Sequence, residues 1–261
     1  MLADLYAGAL ADAQSRLETV SIAQLEKLIA QQPEALDAKS ILSSTNHIQV
    51  IAEIKRASPS KGDLAEIPDP GALAKVYASN GAAAISVLTE ERKFKGSLND
   101  LIAVRSAVQA PILRKDFIAI EQQVLEARAY GADLVLLIVA GLEQSKLQSL
   151  FRFVTSLGMT PFVETHNAEE ILRAIDVGAE LIGINARDLS TFDTDRELFA
   201  ELIDLLPRNS ITVAESAVRN LEDVQNYAKA GADCVLIGEA LVTGDAADLL
   251  KQIQQVPKIR L

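Results

Sequence analysis

The sequence predicts an α/β fold, a closed (βα)8 barrel of the TIM class preceded by a helical extension. Three observations predict it. The dipeptide Gly-Ala recurs at Gly81-Ala82, Gly131-Ala132, Gly178-Ala179 and Gly231-Ala232, about fifty residues apart, which is two βα units of ordinary length. Each copy follows a stretch of helical periodicity and precedes an apolar run: AISVL, LVLLI, LIGIN and CVLIG. Between these runs lie four more strand candidates, VIAEIK, PILRK, MTPFVE and ITVAE. A doubly wound open sheet is the alternative. Even spacing, with no switch point, favours closure.

The elements follow in order. Residues 2–31 alternate Leu, Ala and Ile with charged and polar residues at helical spacing, and Ser21 has the character of an N-cap between two helices. Pro33 ends the second helix. Residues 34–46 are ambiguous and finish in Ser43-Ser44-Thr45-Asn46. Residues 1–46 are therefore expected as a helical extension, and 47–261 as the barrel. Strand ends are expected near residues 55, 88, 115, 139, 164, 185, 215 and 237, each followed by a helix, the last over Ala246 to Gln254. In each Gly-Ala pair the glycine takes the left-handed position that stops a helix, and the strand starts at once. No linker rich in Pro, Gly or Ser divides the repeats, so one domain is expected across 1–261.

Composition bounds the function. A hydrophobic content of 49% describes an ordinary soluble globule. A formal charge of −11 argues against a nucleic-acid partner, which needs a cationic face. A small anionic substrate reads a local cluster instead, and Lys55, Arg56, Lys61, Arg114 and Lys115 are candidates for one. Cys234 sits in an apolar run and reads as a core residue. One cysteine permits no internal disulfide, which fits a cytoplasmic location. No run approaches a membrane span, and the first residues lack the features of a signal peptide. His47 and His166 form no metal-binding spacing, so no metal is expected.

In a barrel of this class the active site lies at the C-terminal strand ends. Strand one ends in Glu53 and Lys55, two apart and so on one face. A polar loop, Ala57-Ser58-Pro59-Ser60-Lys61-Gly62, follows. Strand three ends in Lys115 and Asp116, strand five in Glu164, strand six in Asn185 with Arg187 just beyond, and strand seven in Glu215 and Ser216. Strand eight ends in Gly238-Glu239; strands two and four end more quietly. Parity sets Lys115 above Leu113, Glu164 above Phe162, Asn185 above Gly183 and Glu215 above Val213. Each polar group thus stands one layer above an apolar or small residue on the expected interior. Lysines and carboxylates gathered in a partly dry mouth shift one another's proton affinity and can run acid–base chemistry. The loops after strands seven and eight commonly offer N–H groups to phosphate, which points to Ser216, Ala217 and Gly238. Glu239 would have to turn its carboxylate away from such a ligand.

VIAEIKRASPSKGDL, at residues 50–64, resembles the hallmark segment of the indole-3-glycerol phosphate synthase family of tryptophan biosynthesis. YASNGAAAISVLTE, FKGS, ILRKDFI, FVETH, IGINARDL, VAES and LIGEAL resemble that family in order and spacing. The resemblance spans residues 48–245, and residues 1–46 share only the helical character of the family's N-terminus. It implies a (βα)8 lyase without cofactor or metal that closes the ring of 1-(2-carboxyphenylamino)-1-deoxyribulose 5-phosphate, releasing carbon dioxide and water.

By position, the resemblance makes Lys115 the general acid at the substrate carbonyl, and Lys55 the partner of the anthranilate carboxylate. Glu164 becomes the acid–base group for loss of hydroxyl, and Glu53 positions Lys55 or shares that role. Asn185 and Glu215 orient hydroxyls and lysines. Ser58, Ser216 and Gly238 hold phosphate with the neighbouring backbone, including Ala217 and Glu239. Phe94 and Phe117 flank the aromatic ring, and Arg187 supports the mouth. One departure stands out: the family's usual Gly after Glu-Ser is Ala217 here, whose methyl disfavours a positive φ. The resemblance also leaves open association with other enzymes of the pathway. Three rival readings remain: a Schiff-base aldolase, the neighbouring isomerase of the pathway (although no Cys ends strand one), and a non-catalytic phosphosugar-binding barrel.

Overall fold

The computed structural model describes residues 2–188, 191 and 193–259. Eight strands pair in parallel: β1 (Gln49–Ile54), β2 (Ala84–Leu88), β3 (Ile112–Lys115), β4 (Leu134–Ile138), β5 (Thr160–Thr165), β6 (Leu181–Asn185), β7 (Ile211–Glu215) and β8 (Cys234–Ile237). They close into a barrel, with β1 hydrogen-bonded to both β8 and β2. Every residue of β2 and of β4 through β8 is buried. Burial on both faces is what an all-parallel sheet clad in helices requires, and it explains why these strands read as unbroken apolar runs.

The Gly-Ala repeat does what its chemistry predicts. Gly81, Gly131, Gly178 and Gly231 follow their helices at φ of 100°, 90°, 82° and 104°, open to glycine at little cost. In two copies the next residue is an aspartate that ties the strands together below. Asp133 accepts the Ile112 N–H at 2.9 Å, and Asp233 accepts the Thr212 N–H at 3.0 Å.

The helices are α1 (Leu2–Arg16), α2 (Ile22–Ile29), α3 (Ala38–Ser43), α4 (Pro70–Ser79), α5 (Leu98–Ala107), α6 (Glu121–Ala129), α7 (Gln144–Ser156), α8 (Ala168–Asp176), α9 (Leu198–Leu202), α10 (Leu221–Lys229), α11 (Glu239–Thr243) and α12 (Ala246–Ile253). Ser21 caps α2 in a reciprocal capping box with Gln24. The ambiguous residues 34–46 hold α3, whose N-terminus is capped by Asp37. Two features escaped the periodicity because each is too short to show one. A two-stranded hairpin, Ala57–Ser58 against Gly62–Asp63, lies inside the polar loop after β1. The five-residue α11 comes between β8 and α12.

The N-terminal extension runs the height of the barrel. At the C-terminal mouth, the Tyr6 ring of α1 meets Phe117 edge-on, centroids 5.6 Å apart. Asp12 grips Arg92, and Arg16 grips Glu126 at 2.8 Å. Leu25 of α2 packs on Leu125 and Ala129 of α6. At the opposite end, the Leu36 N–H donates to Asp133 Oδ1 at 2.8 Å.

Candidate active site

β3 ends in Lys115, whose side chain enters the mouth because its parity matches buried Leu113. Its Nζ lies 3.0 Å from Glu164 Oε2 at the end of β5, and 3.6 Å from Glu215 Oε2 at the end of β7. Asn185, at the end of β6, donates Nδ2–H to Glu164 Oε1 at 3.0 Å. Its own Oδ1 accepts the Ser216 hydroxyl at 2.7 Å and the Arg187 N–H at 3.0 Å. A chain of polar contacts therefore crosses the mouth from Ser216 through Asn185 and Glu164 to Lys115. Across the barrel, buried Glu53 pairs with Lys55 at 2.5 Å.

Two glycines make this crowding feasible. A Cβ on Gly183 would lie 2.2 Å from Glu215 Oε1 and 2.9 Å from the Phe162 ring. A Cβ on Gly238 would lie 2.3 Å from Glu53 Oε1 and 3.0 Å from Lys55 Nζ. Neither residue has room for a side chain beside the charged groups.

The proton affinities follow from burial set against neighbouring charge. Burial alone would lower Lys115, but Glu164, Glu215 and Glu53 outweigh it and hold the ammonium well above its usual range. Burial would raise Glu164, yet Lys115, His166 and Asn185 outweigh it and keep that carboxylate ionised. Glu215 goes the other way: burial, then the nearby Glu164 charge, push its carboxyl up. Two adjacent carboxyl groups are thus driven apart, Glu164 toward its ionised form and Glu215 toward its protonated form. Such a split marks acid–base sites.

These groups line a cavity of about 420 Å³, within the range of small-molecule sites. It is lined by Glu53, Lys55, Ser58, Phe94, Lys115, Phe117, Glu164, Asn185, Arg187, Glu215, Ser216, Ala217, Gly238 and Glu239, so every residue to which the family resemblance assigns a role meets here. Phe94 and Phe117, centroids 6.2 Å apart, join Leu136 and Ile138 in an apolar wall. The opposite rim carries Ser216, Ala217 and Gly238, with Arg196 and Arg219 beside them. Glu239 is paired with Lys61 from the loop after β1.

Ala217 resolves the departure noted above. It adopts φ of 61° directly after Ser216 at 66°, so the turn is made in spite of the methyl group. The expected cationic cluster needs correction. Arg114 has the parity opposite to Lys115, is fully buried outside the cavity, and binds Asp116 at 3.0 Å and Glu126 at 3.1 Å. Arg56 grips Asp100 and the Ile67 carbonyl instead of facing the cavity. Lys55, Lys61 and Lys115 do line it. Arg196 and Arg219 went unnoticed in the sequence; for Arg219 the SAVRN run after β7 was the available signal. Tyr6, behind Phe117, had none. Leu189, the last residue of IGINARDL, lies outside the described residues.

Among the described residues, no group of three or more His, Cys, Asp or Glu is arranged to hold a metal ion. No helix there is long and apolar enough to cross a membrane.

The chain resembles known proteins along nearly its whole length. The chain is 56% identical over 256 residues to an indole-3-glycerol phosphate synthase of Leifsonia xyli subsp. xyli, covering 98% of each. It is 54% identical to those of Parafrankia sp. and Mycolicibacterium gilvum, covering 93% of this chain and 90% and 89% of theirs. Among solved structures, an N-acetylmannosamine-6-phosphate 2-epimerase from Clostridium perfringens aligns with a TM-score of 0.62 at 15% identity, over 78% of this chain and 92% of that one. A 3-hexulose-6-phosphate synthase from Salmonella typhimurium aligns at 0.61 and 16%, over 80% and 98%. These structural likenesses speak to the barrel alone. Residues 2–256 match the family model for indole-3-glycerol phosphate synthase. The chain belongs to the indole-3-glycerol phosphate synthase family.

Proposed function

We propose that this chain catalyses the decarboxylating, dehydrating ring closure of 1-(2-carboxyphenylamino)-1-deoxyribulose 5-phosphate to indole-3-glycerol phosphate, a step of tryptophan biosynthesis. The observation that carries the reading is that Lys55, Lys115, Glu53, Glu164, Glu215 and Asn185 meet in one cavity, with an apolar wall at one side and Ser216 and Gly238 at the other.

The chemistry asks for such a site. The aromatic carbon bearing the carboxylate must attack the ketone carbon. Fixing both ends of the substrate removes much of the entropic barrier. Lys55 takes the aromatic carboxylate. Ser58, Ser216, the backbone at Ala217 and Gly238, and the start of α11 take the phosphate, as loops after strands seven and eight do in this fold. Lys61 neutralises Glu239 beside them. Phe94 and Phe117 flank the ring, and Arg187 supports the mouth.

Lys115 then protonates the ketone oxygen as the carbon–carbon bond forms, which stabilises the developing charge. Carbon dioxide leaves from the same ring carbon and restores aromaticity. Loss of the hydroxyl as water requires a second proton at that oxygen, and the methylene carbon next to nitrogen must lose one. Glu164, held ionised, takes the methylene proton and, once protonated, is the acid for the departing hydroxyl. Glu53 positions Lys55 or shares the proton transfer, and Asn185 and Glu215 orient hydroxyls and lysines.

A Schiff-base aldolase would need a neutral amine at Lys115, and the neighbouring acidic side chains, Glu164 foremost, hold that nitrogen protonated. Borohydride treatment with substrate is expected to trap no lysine adduct. The test of the main reading is the fluorescence of the indole product on addition of the carboxyphenylamino sugar phosphate. No product at micromolar enzyme would sink it.

We assign the whole chain to one domain, with residues 1–46 as a helical extension; the contacts of Tyr6, Arg16 and Leu36 with the barrel support this. A cytoplasmic setting suits the free, buried Cys234.

A further inference from the structure

His166 has no part in the chemistry above and does not line the cavity. It follows Glu164 by two residues, where β5 gives way to α8. Its ring is held from behind. Nδ1 lies 3.0 Å from Glu170 Oε2, and the same oxygen accepts the His166 backbone N–H at 2.8 Å. Glu170 Oε1 accepts from Asn167 Nδ2 at 2.8 Å, and Asn167 Oδ1 caps α8 by accepting the Glu170 N–H at 3.0 Å. The first turn of a helix therefore fixes the imidazole plane.

That plane turns Nε2 toward the site. It stands 3.3 Å from Glu164 Oε1, off the line of a hydrogen bond, and has no aligned partner among the described residues. Both ring nitrogens thus face carboxylate oxygens. A neutral ring has a single N–H and would set a lone pair against one of the two carboxylates, whereas the imidazolium presents a positive edge to both. Burial would push the imidazole down, but Glu164 and Glu170 outweigh it and push it up to about 10. Lys115 and Glu215 lie on the far side of Glu164.

We infer that His166, anchored on Glu170, is a positioning residue that holds Glu164 in orientation and in charge for its acid–base work. Lys115 takes one carboxylate oxygen of Glu164; Asn185 and His166 flank the other. The carboxylate is then gripped from inside the cavity and from behind it. During turnover Lys115 gives up its proton, and its grip weakens at that moment. The imidazolium, which touches no reacting atom, keeps Glu164 in place through that step. This inference rests on the acid–base role proposed for Glu164.

The test is steady-state turnover of the carboxyphenylamino sugar phosphate across pH by the full chain and by His166→Leu, His166→Gln and Glu170→Gln. His166→Leu is expected to lower kcat about 10- to 100-fold with KM nearly unchanged, and to shift the acid limb of the pH profile upward, because Glu164 loses a cation. His166→Gln keeps an N–H near Nε2 and is expected to restore most of kcat. Glu170→Gln should lower kcat in the same direction and less. A His166→Leu protein that melts with the parent and matches its kcat and pH profile overturns the inference. So does an equal loss in the Leu and Gln variants with KM rising in step. Should His166→Leu fail to fold, Glu170→Gln decides, and parental kcat with a parental pH profile overturns the inference. If the parent itself makes no indole product, it is the functional reading that fails.

Discussion

The Lys115 ammonium stands 3.0 Å from the Glu164 carboxylate, although 49 residues separate them in the chain. They end alternate strands, β3 and β5, and both face inward. Each sets the other's proton affinity: the carboxylate holds the ammonium charged, and the ammonium holds the carboxylate ionised. Breaking the pair should be the most damaging single change to turnover. Lys115→Met is expected to lower kcat about 10²- to 10⁴-fold while leaving the far-ultraviolet circular dichroism unchanged. Product fluorescence checks the first outcome; a folded variant with near-parental kcat would remove Lys115 as the acid.

The His166 imidazolium makes a pH prediction about stability. Its affinity for a proton is raised on folding, from 6.5 to about 10. A raised group stabilises the fold fully below its unfolded value and loses that contribution as pH rises through the folded value. The melting-temperature gap between the parent and His166→Gln should therefore be largest below pH 6.5 and shrink toward pH 10. Thermal melts at stepped pH measure this, and a gap that widens with pH contradicts it. Glu164 has the opposite sign: its affinity is lowered, so its contribution fades as pH falls into the acid range.

Ala217 sits at φ of 61°, which costs an L-residue roughly 1–2 kcal/mol. Ala217→Gly removes that strain but adds freedom to the unfolded chain, worth about 0.4–1 kcal/mol. The net expectation is a gain of up to about 1.6 kcal/mol in urea denaturation, with KM for the phosphorylated substrate no higher. Ala217→Val should destabilise, because a branched Cβ tolerates this region worse than a methyl group. A stabilising valine would show that the turn is not strained.

Gly238 lies against the Glu53–Lys55 pair. In Gly238→Ala the new methyl must displace Glu53 Oε1, 2.3 Å away, or the backbone after β8. Overpacking of this kind costs about 1–3 kcal/mol. Turnover should fall further than stability alone explains, since the displaced groups are those assigned to the aromatic carboxylate and the phosphate. Kinetics beside a urea melt separate the two effects.

Tyr6 is buried between α1 and the barrel, edge-on to Phe117. Tyr6→Ala should cost about 3 kcal/mol, in line with loss of a buried aromatic ring. It should also raise KM, because Phe117 and Phe94 lose their backing. A urea melt and a substrate titration measure the two parts. An unchanged KM would make α1 a brace without influence on the cavity.

Much of this could be read in advance, for identifiable reasons. Periodicity located all eight strands, because parallel strands buried on both faces leave unbroken apolar runs bounded by glycine. Inward parity at strand ends picked out Lys115, Glu164, Asn185 and Glu215, and a shared face joined Glu53 to Lys55, because side-chain direction alternates strictly along a strand. Arg114 shows the limit. It stands next to Lys115 in the chain, yet one step in parity sends it outside the barrel onto the carboxylates of Asp116 and Glu126. Tyr6 and His166 were missed for another reason: each acts through a neighbour distant in the chain or masked by an ordinary loop.

The sequence alone determined which residues alternate, where helices stop and which polar groups crown the strands. Those depend on local backbone geometry and on burial, and both are written at short range. The tertiary structure decided which charges touch and therefore which carboxyl group is ionised. Glu164 and Glu215 are the same residue type at equivalent strand ends, but one meets Lys115, Asn185 and His166 while the other is buried beside a charge of its own sign. Proton affinity depends on distance through space in a medium that screens poorly, and closure of the barrel is what sets those distances.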